Sequence, residues 1–403
     1  MSPPEQVPER GPRGPGSSSG VILVACLGAG IATTGIQVIA PGIPAIQAEF
    51  GLSTAQVALL TTAFLFPSMF SALGAGILAD LFGVRAVFAG SMLLFGLAGA
   101  LSMVAPDLAV LLLARALQGA AFGAALSLSV AIIGLVVPSG PAAARGQSRR
   151  IIAMAVAEAV APAVGGLLIA LAWWAPFGVT LLALPVAVLA WLRLPSARPK
   201  PRPRGQARTA VRSSPALVGV QVLAAARFIT KYAVLTYVAV LAVTELGMSP
   251  AAVGLALGVA STLAAVSAAL TERLAHRWTS PQLIAGALVT TTASMVAMAF
   301  APAPAVLVGA LLVFGLQDGV YGVAHNVLVT EMAPPEARST YTGLTGTVRN
   351  VGKFTAPLLF GAATLVLTVG QSFLVLAAAS AAALSVVGRV VRAHRTVTAD
   401  HDG

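Results

Sequence analysis

Twelve apolar runs of about 20 residues or more punctuate this chain, and a run of that length crosses the hydrocarbon core of a bilayer as one α-helix. They lie near residues 21–41, 55–79, 85–105, 108–137, 150–170 and 173–192, then near 216–243, 251–270, 281–301, 304–330, 339–367 and 371–391. Charged residues make up 9% of the 403, against roughly 25% in a soluble domain. A soluble globular fold is therefore excluded, and the expected fold is an all-α membrane protein of twelve transmembrane helices. Lys and Arg number 24 against 13 Asp and Glu, but the basic residues fall mostly in short loops, so no nucleic-acid partner is expected. Cys26 is the single cysteine, which leaves neither a disulfide nor a zinc site. With no P-loop and no H-E-x-x-H sequence, the chain is expected to use no cofactor and no metal.

Five apolar residues separate Gly20 from Cys26. Although Leu23-Val24-Ala25-Cys26 has the form of a lipoprotein cleavage box, that stretch is too short for a secretory signal and continues past the cysteine. Residues 1–20 are rich in Pro, Gly and Ser and read as a disordered cytosolic tail. With the N-terminus inside, the external loops hold Glu49, Asp107 and Glu245, whereas Arg85, Arg145, Arg149, Arg150, Arg273, Arg277 and Arg338 fall inside. The positive-inside rule is then obeyed throughout. The expected organisation is a first six-helix bundle over 21–192, a basic cytosolic linker over 193–215, a second bundle over 216–391 and a cytosolic tail over 392–403. The linker carries seven basic residues between Arg193 and Arg212, enough to attract an anionic inner leaflet. An excess of Arg over Lys, 21 to 3, suits a GC-rich bacterial genome, so the expected location is a bacterial inner membrane, with the protein acting as a monomer.

The two halves repeat. Gly51-Leu52-Ser53 returns as Gly247-Met248-Ser249 and Leu78-Ala79-Asp80 as Leu274-Ala275-His276, both 196 residues on. Leu117-Gln118-Gly119 matches Leu316-Gln317-Asp318 at 199, and Ala161-Pro162 matches Ala356-Pro357 at 195. Two like halves form a transporter architecture whose substrate site lies between them near the bilayer midplane.

The segment Gly76-Ile77-Leu78-Ala79-Asp80-Leu81-Phe82-Gly83-Val84-Arg85 resembles the cytosolic loop signature of the major facilitator superfamily, with Leu81 and Val84 at two positions that are basic in the family. Leu111, Arg115, Gln118 and Gly119 resemble its fourth-span motif. Ala157, Ala161, Pro162, Gly165 and Gly166 resemble the fifth-span motif of its twelve-helix drug:proton antiporters, with alanine at two glycine positions. The resemblance covers residues 21–391. It implies the major facilitator fold, two pseudo-symmetric six-helix bundles, and a gating role for Gly76, Asp80, Gly83 and Arg85. It also implies export in exchange for protons.

Charges within a span cost about 2.5–3.5 kcal/mol each on insertion scales and usually line a cavity or pair. This chain places Arg115, Glu158, Arg227, Lys231, Asp318, Arg349 and Lys353 there. Arg227 and Lys231 are four apart, as are Arg349 and Lys353, so each pair shares a helix face. These four, with Gln118 and Gln317, are expected to line a substrate cavity suited to an acidic headgroup, since Arg matches a carboxylate or phosphate. Pairing with Glu158 and Asp318 is the plainer alternative. Glu158 and Asp318, with Arg115, are the expected proton-coupling residues, because a carboxyl beside a mobile cation can load and release a proton. His325, seven residues beyond Asp318, is a further relay candidate, and Tyr232, Tyr237, Tyr321 and Phe122 are candidate aromatic lining. The expected function is proton-coupled export of a small organic molecule, such as a drug, antibiotic or metabolite, through the lipid bilayer with the proton gradient as energy source. The alternatives are a proton-linked importer of an organic anion and, more remotely, a membrane-embedded enzyme acting on lipid.

Overall fold

A computed structural model describes residues 15–137, 140–196, 215–333 and 338–399. The expected tail before residue 15, most of the basic linker and the last four residues lie outside them. Twelve helices follow in order: α1 (Pro15–Gln37), α2 (Ala58–Phe82), α3 (Val84–Met103), α4 (Leu108–Val136), α5 (Gly140–Leu168), α6 (Ala183–Arg193), α7 (Pro215–Val240), α8 (Pro250–Ala275), α9 (Ser280–Ala299), α10 (Pro304–Met332), α11 (Arg338–Ala363) and α12 (Val369–Ala399). A short helix over Ile43–Glu49 extends the first span, and 3-10 turns over Ala175–Leu182 lead into the sixth. α1 starts at Pro15, inside the stretch expected to be a tail; proline suits a first helical position because its missing N–H would have no intrahelical partner there.

Helix starts are marked by side chains that satisfy free backbone N–H groups. Asp107 Oδ1 accepts from Val110 N at 2.9 Å and Ser249 Oγ from Ala252 N at 3.2 Å. Thr279 and Gln282 form a capping box. The tight turn from α2 to α3 rests on Gly83 at φ 86°, and Gly51 and Gly247 adopt φ 60° and 64° in equivalent loops, a left-handed conformation that costs glycine little.

Eleven helices are long and apolar enough to cross a membrane by composition alone, and α11 is not among them. Its sequence RSTYTGLTGTVRNVGKFTAPLLFGAA carries Thr, Asn, Arg and Lys along one half. A span facing a polar interior is under no pressure to be apolar all round.

Helices α1–α6 form one bundle and α7–α12 the other; they meet where α5 packs on α8 and α2 on α11. We call the end of the molecule where α1 begins and α12 ends the terminal face, and the opposite end the far face. Within each bundle small residues set the approach. A Cβ on Gly119 or Gly123 would collide with the carbonyls of Phe64 and Ser68, and one on Gly315 or Gly319 with those of Ala260 and Ala264. These paired notches correct the repeat register in this span. The offset is 196, as elsewhere, and not the 199 suggested by the Leu-Gln match, so Asp318 corresponds to Phe122 rather than to Gly119. Packing sets the register because only a residue without a Cβ lets the helix backbones approach this closely.

Candidate functional site

At mid-depth a charged layer joins the bundles. Asp318 on α10 is buried and accepts from Arg227 Nε at 2.8 Å through one oxygen while lying 3.1 Å from Lys231 Nζ through the other. Arg227 also donates to the Asp318 backbone carbonyl at 3.1 Å. Gly322, one turn along α10, leaves the space the guanidinium fills, since a Cβ there would meet it at 2.7 Å. From the other bundle, Glu158 on α5 reaches Lys231 at 3.7 Å. Lys231 is thus shared between a carboxylate of its own bundle and one of the opposite bundle. Glu158 stands four residues before Pro162, which cannot donate to its carbonyl; Lys353 stands in the same relation to Pro357. The partner of Glu158 is Lys231 and not Lys353, its repeat counterpart.

Lys353 and Arg349 on α11 gather around an aromatic ring that the sequence had not singled out. Lys353 Nζ lies 5.3 Å from the Phe228 centroid and 5.6 Å from that of Tyr232. Arg349 and Arg227 lie over the same Phe228 ring at 5.6 and 5.0 Å. Arg349 also donates to Asn326 Oδ1. Among the described residues neither Lys353 nor Arg349 has a carboxylate within ion-pair distance. A cavity of about 50 Å³ borders Gln37, Glu158, Lys231 and Asp318, with apolar walls from Leu257, Leu311 and Phe314. That holds a few waters at about 10–15 Å³ each; it is too small for an organic molecule, whose pockets run to about 300–1,000 Å³.

Arg115, grouped with the coupling acids on sequence grounds, is elsewhere. It is wholly buried inside the first bundle, donating through Nη1 to Gly35 O at 2.8 Å and Gln118 Oε1 at 2.7 Å. Its guanidinium lies 4.4 Å from the Phe64 centroid. Gln118 continues inward, donating to Thr180 Oγ1 at 3.3 Å, and does not line the cavity. Gln317 borders a separate water-sized space of about 10 Å³ within the second bundle, beside Ser380 and Thr291. Both departures have one cause: spacing along a helix fixes which residues share a face, not which neighbour that face meets. Because Arg115 ties α1 and α4 together, Arg115→Ala is expected to cost about 2–4 kcal/mol of stability and to lower membrane abundance. A fluorescence melting curve checks this, and unchanged melting with lost transport would return Arg115 to a cavity role.

His325 Nε2 donates to Val220 O, 2.9 Å away, and is buried. Tyr321 donates to Leu223 O at 2.9 Å and Tyr237 to Pro357 O at 3.3 Å, while Phe122 packs on Phe64. Of the four candidate lining aromatics, Tyr232 is the one against the charges.

The fifth-span residues divide between two neighbours. Gly165 faces Val38 O of α1's extension, whereas Gly166 faces Pro250 O across the bundle seam, and Gly254 and Gly258 of α8 return the contact against Pro162 O and Ala159 O. Ala157 and Ala161 are buried. The seam runs from the depth of the charged layer toward the far face, with the Phe66–Phe354 ring contact at that depth and the Thr236–Thr61 hydrogen bond beyond it. In the loop motif Gly76 has open space around it, Asp80 is exposed and makes no ion pair among the described residues, and Arg85 lies 4.9 Å over Trp191. The two bundles are therefore joined tightly toward the far face. Gly254→Val would force an overlap costing on the order of 1–3 kcal/mol, enough to shift a two-state balance about tenfold. The expected result, with Cys26 replaced by serine, is faster labelling of a cysteine at Ser261 by an impermeant maleimide from the far face.

Across the described residues the fold is that of solved transporters. A bacterial homolog of the human lysosomal transporter Spinster, solved inward-facing and unoccupied, superposes with TM-score 0.74 at 17% identity, covering 96% of this chain and 97% of that one. Local sequence matches are closer. The puromycin resistance protein pur8 of Streptomyces alboniger is 42% identical over 85 residues, 21% of this chain and 17% of that protein. The 4-hydroxybenzoate transporter PcaK of Pseudomonas putida is 34% identical over 95 residues, 24% of this chain and 21% of that protein. The chain thus spans less than a quarter of the length of the curated relatives it matches. The family model described as Major Facilitator Superfamily matches residues 25–357. With two six-helix bundles, a charged layer where they meet and that match over most of its length, the chain belongs to the major facilitator superfamily.

Proposed function

We propose that this chain is a secondary transporter of small molecules, proton-coupled and working by alternating access, with the Glu158–Lys231–Asp318 bridge as its coupling element. The observation that carries the reading is Lys231 shared between carboxylates of opposite bundles. Protonating Glu158 removes its hold on Lys231, which then settles on Asp318, and one tie across the seam is lost. The bundles are freed to rock about the remaining contacts. A carboxyl with a mobile cation and a few waters nearby has both a reason and a route to exchange protons.

Orientation follows from charge: the terminal face, with the loop arginines and the basic linker, is cytosolic in a bacterial inner membrane. The seam then closes the outside, an inward-facing arrangement. A reporter fused within the linker is expected to be active in the cytosol, and activity outside would reverse the topology.

Export is supported by the fifth-span residues Ala161, Pro162, Gly165 and Gly166, which hold that seam, and by the likeness to a puromycin resistance protein. Drug resistance through proton antiport is the reading that follows. The uncommitted cations Lys353 and Arg349 favour the second reading, proton-linked uptake of an organic anion, which the likeness to a 4-hydroxybenzoate transporter also suits. Accumulation in everted vesicles supports export; accumulation in whole cells alone supports uptake. Transport that ignores an imposed proton gradient in both would overturn proton coupling.

A further inference from the structure

Resting on the proton-coupled reading, we propose that Lys353 and Arg349 receive the carboxylate of a small aromatic organic acid, and that this anion is carried together with the proton rather than against it. The layer holds four cations and two carboxylates. Asp318 and Glu158 engage Arg227 and Lys231, so the cations of α11 are the ones left over. Lys353 has ring faces for company, at 5.3 and 5.6 Å. Arg349 spends one nitrogen on Asn326, while its Nε is buried without a partner. Three cations around Phe228 repel one another, and an anion among them relieves that repulsion and completes their hydrogen bonding.

The ring faces select the rest of the ligand. Phe228 and Tyr232, with centroids 6.4 Å apart and tilted, stand beside the two cations, so a flat π body attached to the carboxylate stacks where the cations now rest. Phe228, Tyr232, Arg349 and Lys353 are each partly exposed, and both basic residues precede Pro357 on the terminal side of the seam. The ligand therefore enters from the face that the seam leaves open.

The sign of coupling follows from the neighbours of Glu158. It pairs with Lys231 on α7 and lies within electrostatic reach of Tyr232 on α7 and Lys353 on α11, with Asp318 on α10 beyond Lys231. An anion beside Lys353 and the Glu158 carboxylate draw on the same cations, so the two negative charges compete. By reciprocity a proton on Glu158 tightens the anion. A cationic substrate would give the opposite sign and exchange. Anion and proton thus load together and an inward proton gradient drives uptake, so this site belongs to the second reading, proton-linked uptake of an organic anion.

The test titrates purified protein in phosphatidylcholine nanodiscs with benzoate, benzamide and inorganic phosphate across mildly acid to mildly alkaline pH. The expected result is benzoate binding that strengthens as pH falls, with proton uptake, and benzamide and phosphate at least about tenfold weaker. Lys353→Gln and Arg349→Gln should each weaken benzoate about tenfold at unchanged melting temperature, with Lys353→Arg largely restoring it. Equal benzoate binding by wild type and both Gln variants, no binding of benzoate, or phosphate as tight as benzoate would overturn the carboxylate site. Binding that strengthens as pH rises would overturn co-loading. Glu158→Gln separates the two readings. It should keep benzoate binding and lose its pH dependence; dependence that survives in Glu158→Gln counts against Glu158 as the coupling group while the anion site stands.

Discussion

Glu158→Gln is expected to abolish concentrative transport, to the level of passive leak, while leaving substrate exchange within about twofold of wild type. Glutamine keeps the shape and hydrogen-bonding reach of the protonated acid but has no proton to give up. The variant is therefore held in the loaded state of the Glu158–Lys231 link, with the bundles joined by the seam contacts alone. Structural damage should be small. Glu158 is about one-third exposed and its 3.7 Å contact with Lys231 is the loosest in the layer, so its loss costs no more than the roughly 0–1 kcal/mol of an exposed pair. Lys231 keeps Asp318 at 3.1 Å. The deciding measurement is proton movement on adding substrate to purified protein. Wild type should release protons if it is an antiporter and take them up if anion and proton load together, and Glu158→Gln should do neither. Unchanged proton movement in Glu158→Gln would pass the role to Asp318, and unchanged movement in both Glu158→Gln and Asp318→Asn would rule out carboxylate coupling.

Different parts of this account were legible in the sequence to different degrees, for physical reasons. Span count and two-bundle fold follow from apolar length and a repeat, properties that a bilayer reads almost directly. α11 reads as an apolar run near 339–367, yet its polar half keeps it from passing on composition; the Ala356-Pro357 match to Ala161-Pro162 agrees with its place as a span. The seven intramembrane charges were equally visible, because charge in a span is rare whatever it does. Their grouping was not. Arg115 and Glu158 look alike as lone charges in apolar helices, yet one is folded into backbone carbonyls of its own bundle and the other faces the opposite bundle. Telling them apart requires the rotation of each helix about its axis, which a few degrees of packing decide. The repeat register near Asp318 slipped because a Leu-Gln identity outweighed the glycine notches in the alignment, whereas in the folded chain only the notches bear on α2 and α8. Phe228 was passed over for a related reason. Its neighbours Arg227 and Lys231 are local and mark it as an aromatic within a basic face, but Arg349 and Lys353 reach it from more than a hundred residues away.

Asp318→Asn is expected to cost stability where Glu158→Gln costs coupling, and this contrast separates two acids that the sequence groups together. Asp318 is buried, with its side chain 6% exposed, and both of its oxygens hold cations, Arg227 at 2.8 Å and Lys231 at 3.1 Å. Removing one partner of a buried pair leaves the other charge unsatisfied and costs about 3–5 kcal/mol, a large share of the roughly 5–15 kcal/mol that holds a typical domain folded. Asparagine still fills the space and can accept from Arg227, but it supplies no charge to offset either cation. For a bundle of this size the loss corresponds to a melting midpoint lower by roughly 10 °C. A second substitution should reverse much of it: Arg227→Gln in the Asp318→Asn background removes the stranded cation and leaves Lys231 with Glu158. Thermal melting of the two single variants and the double gives the coupling energy directly, and a buried pair predicts a double variant more stable than Asp318→Asn alone. A melting curve for Asp318→Asn that overlies wild type, with proton movement lost, would make Asp318 the proton carrier and Glu158 the structural partner.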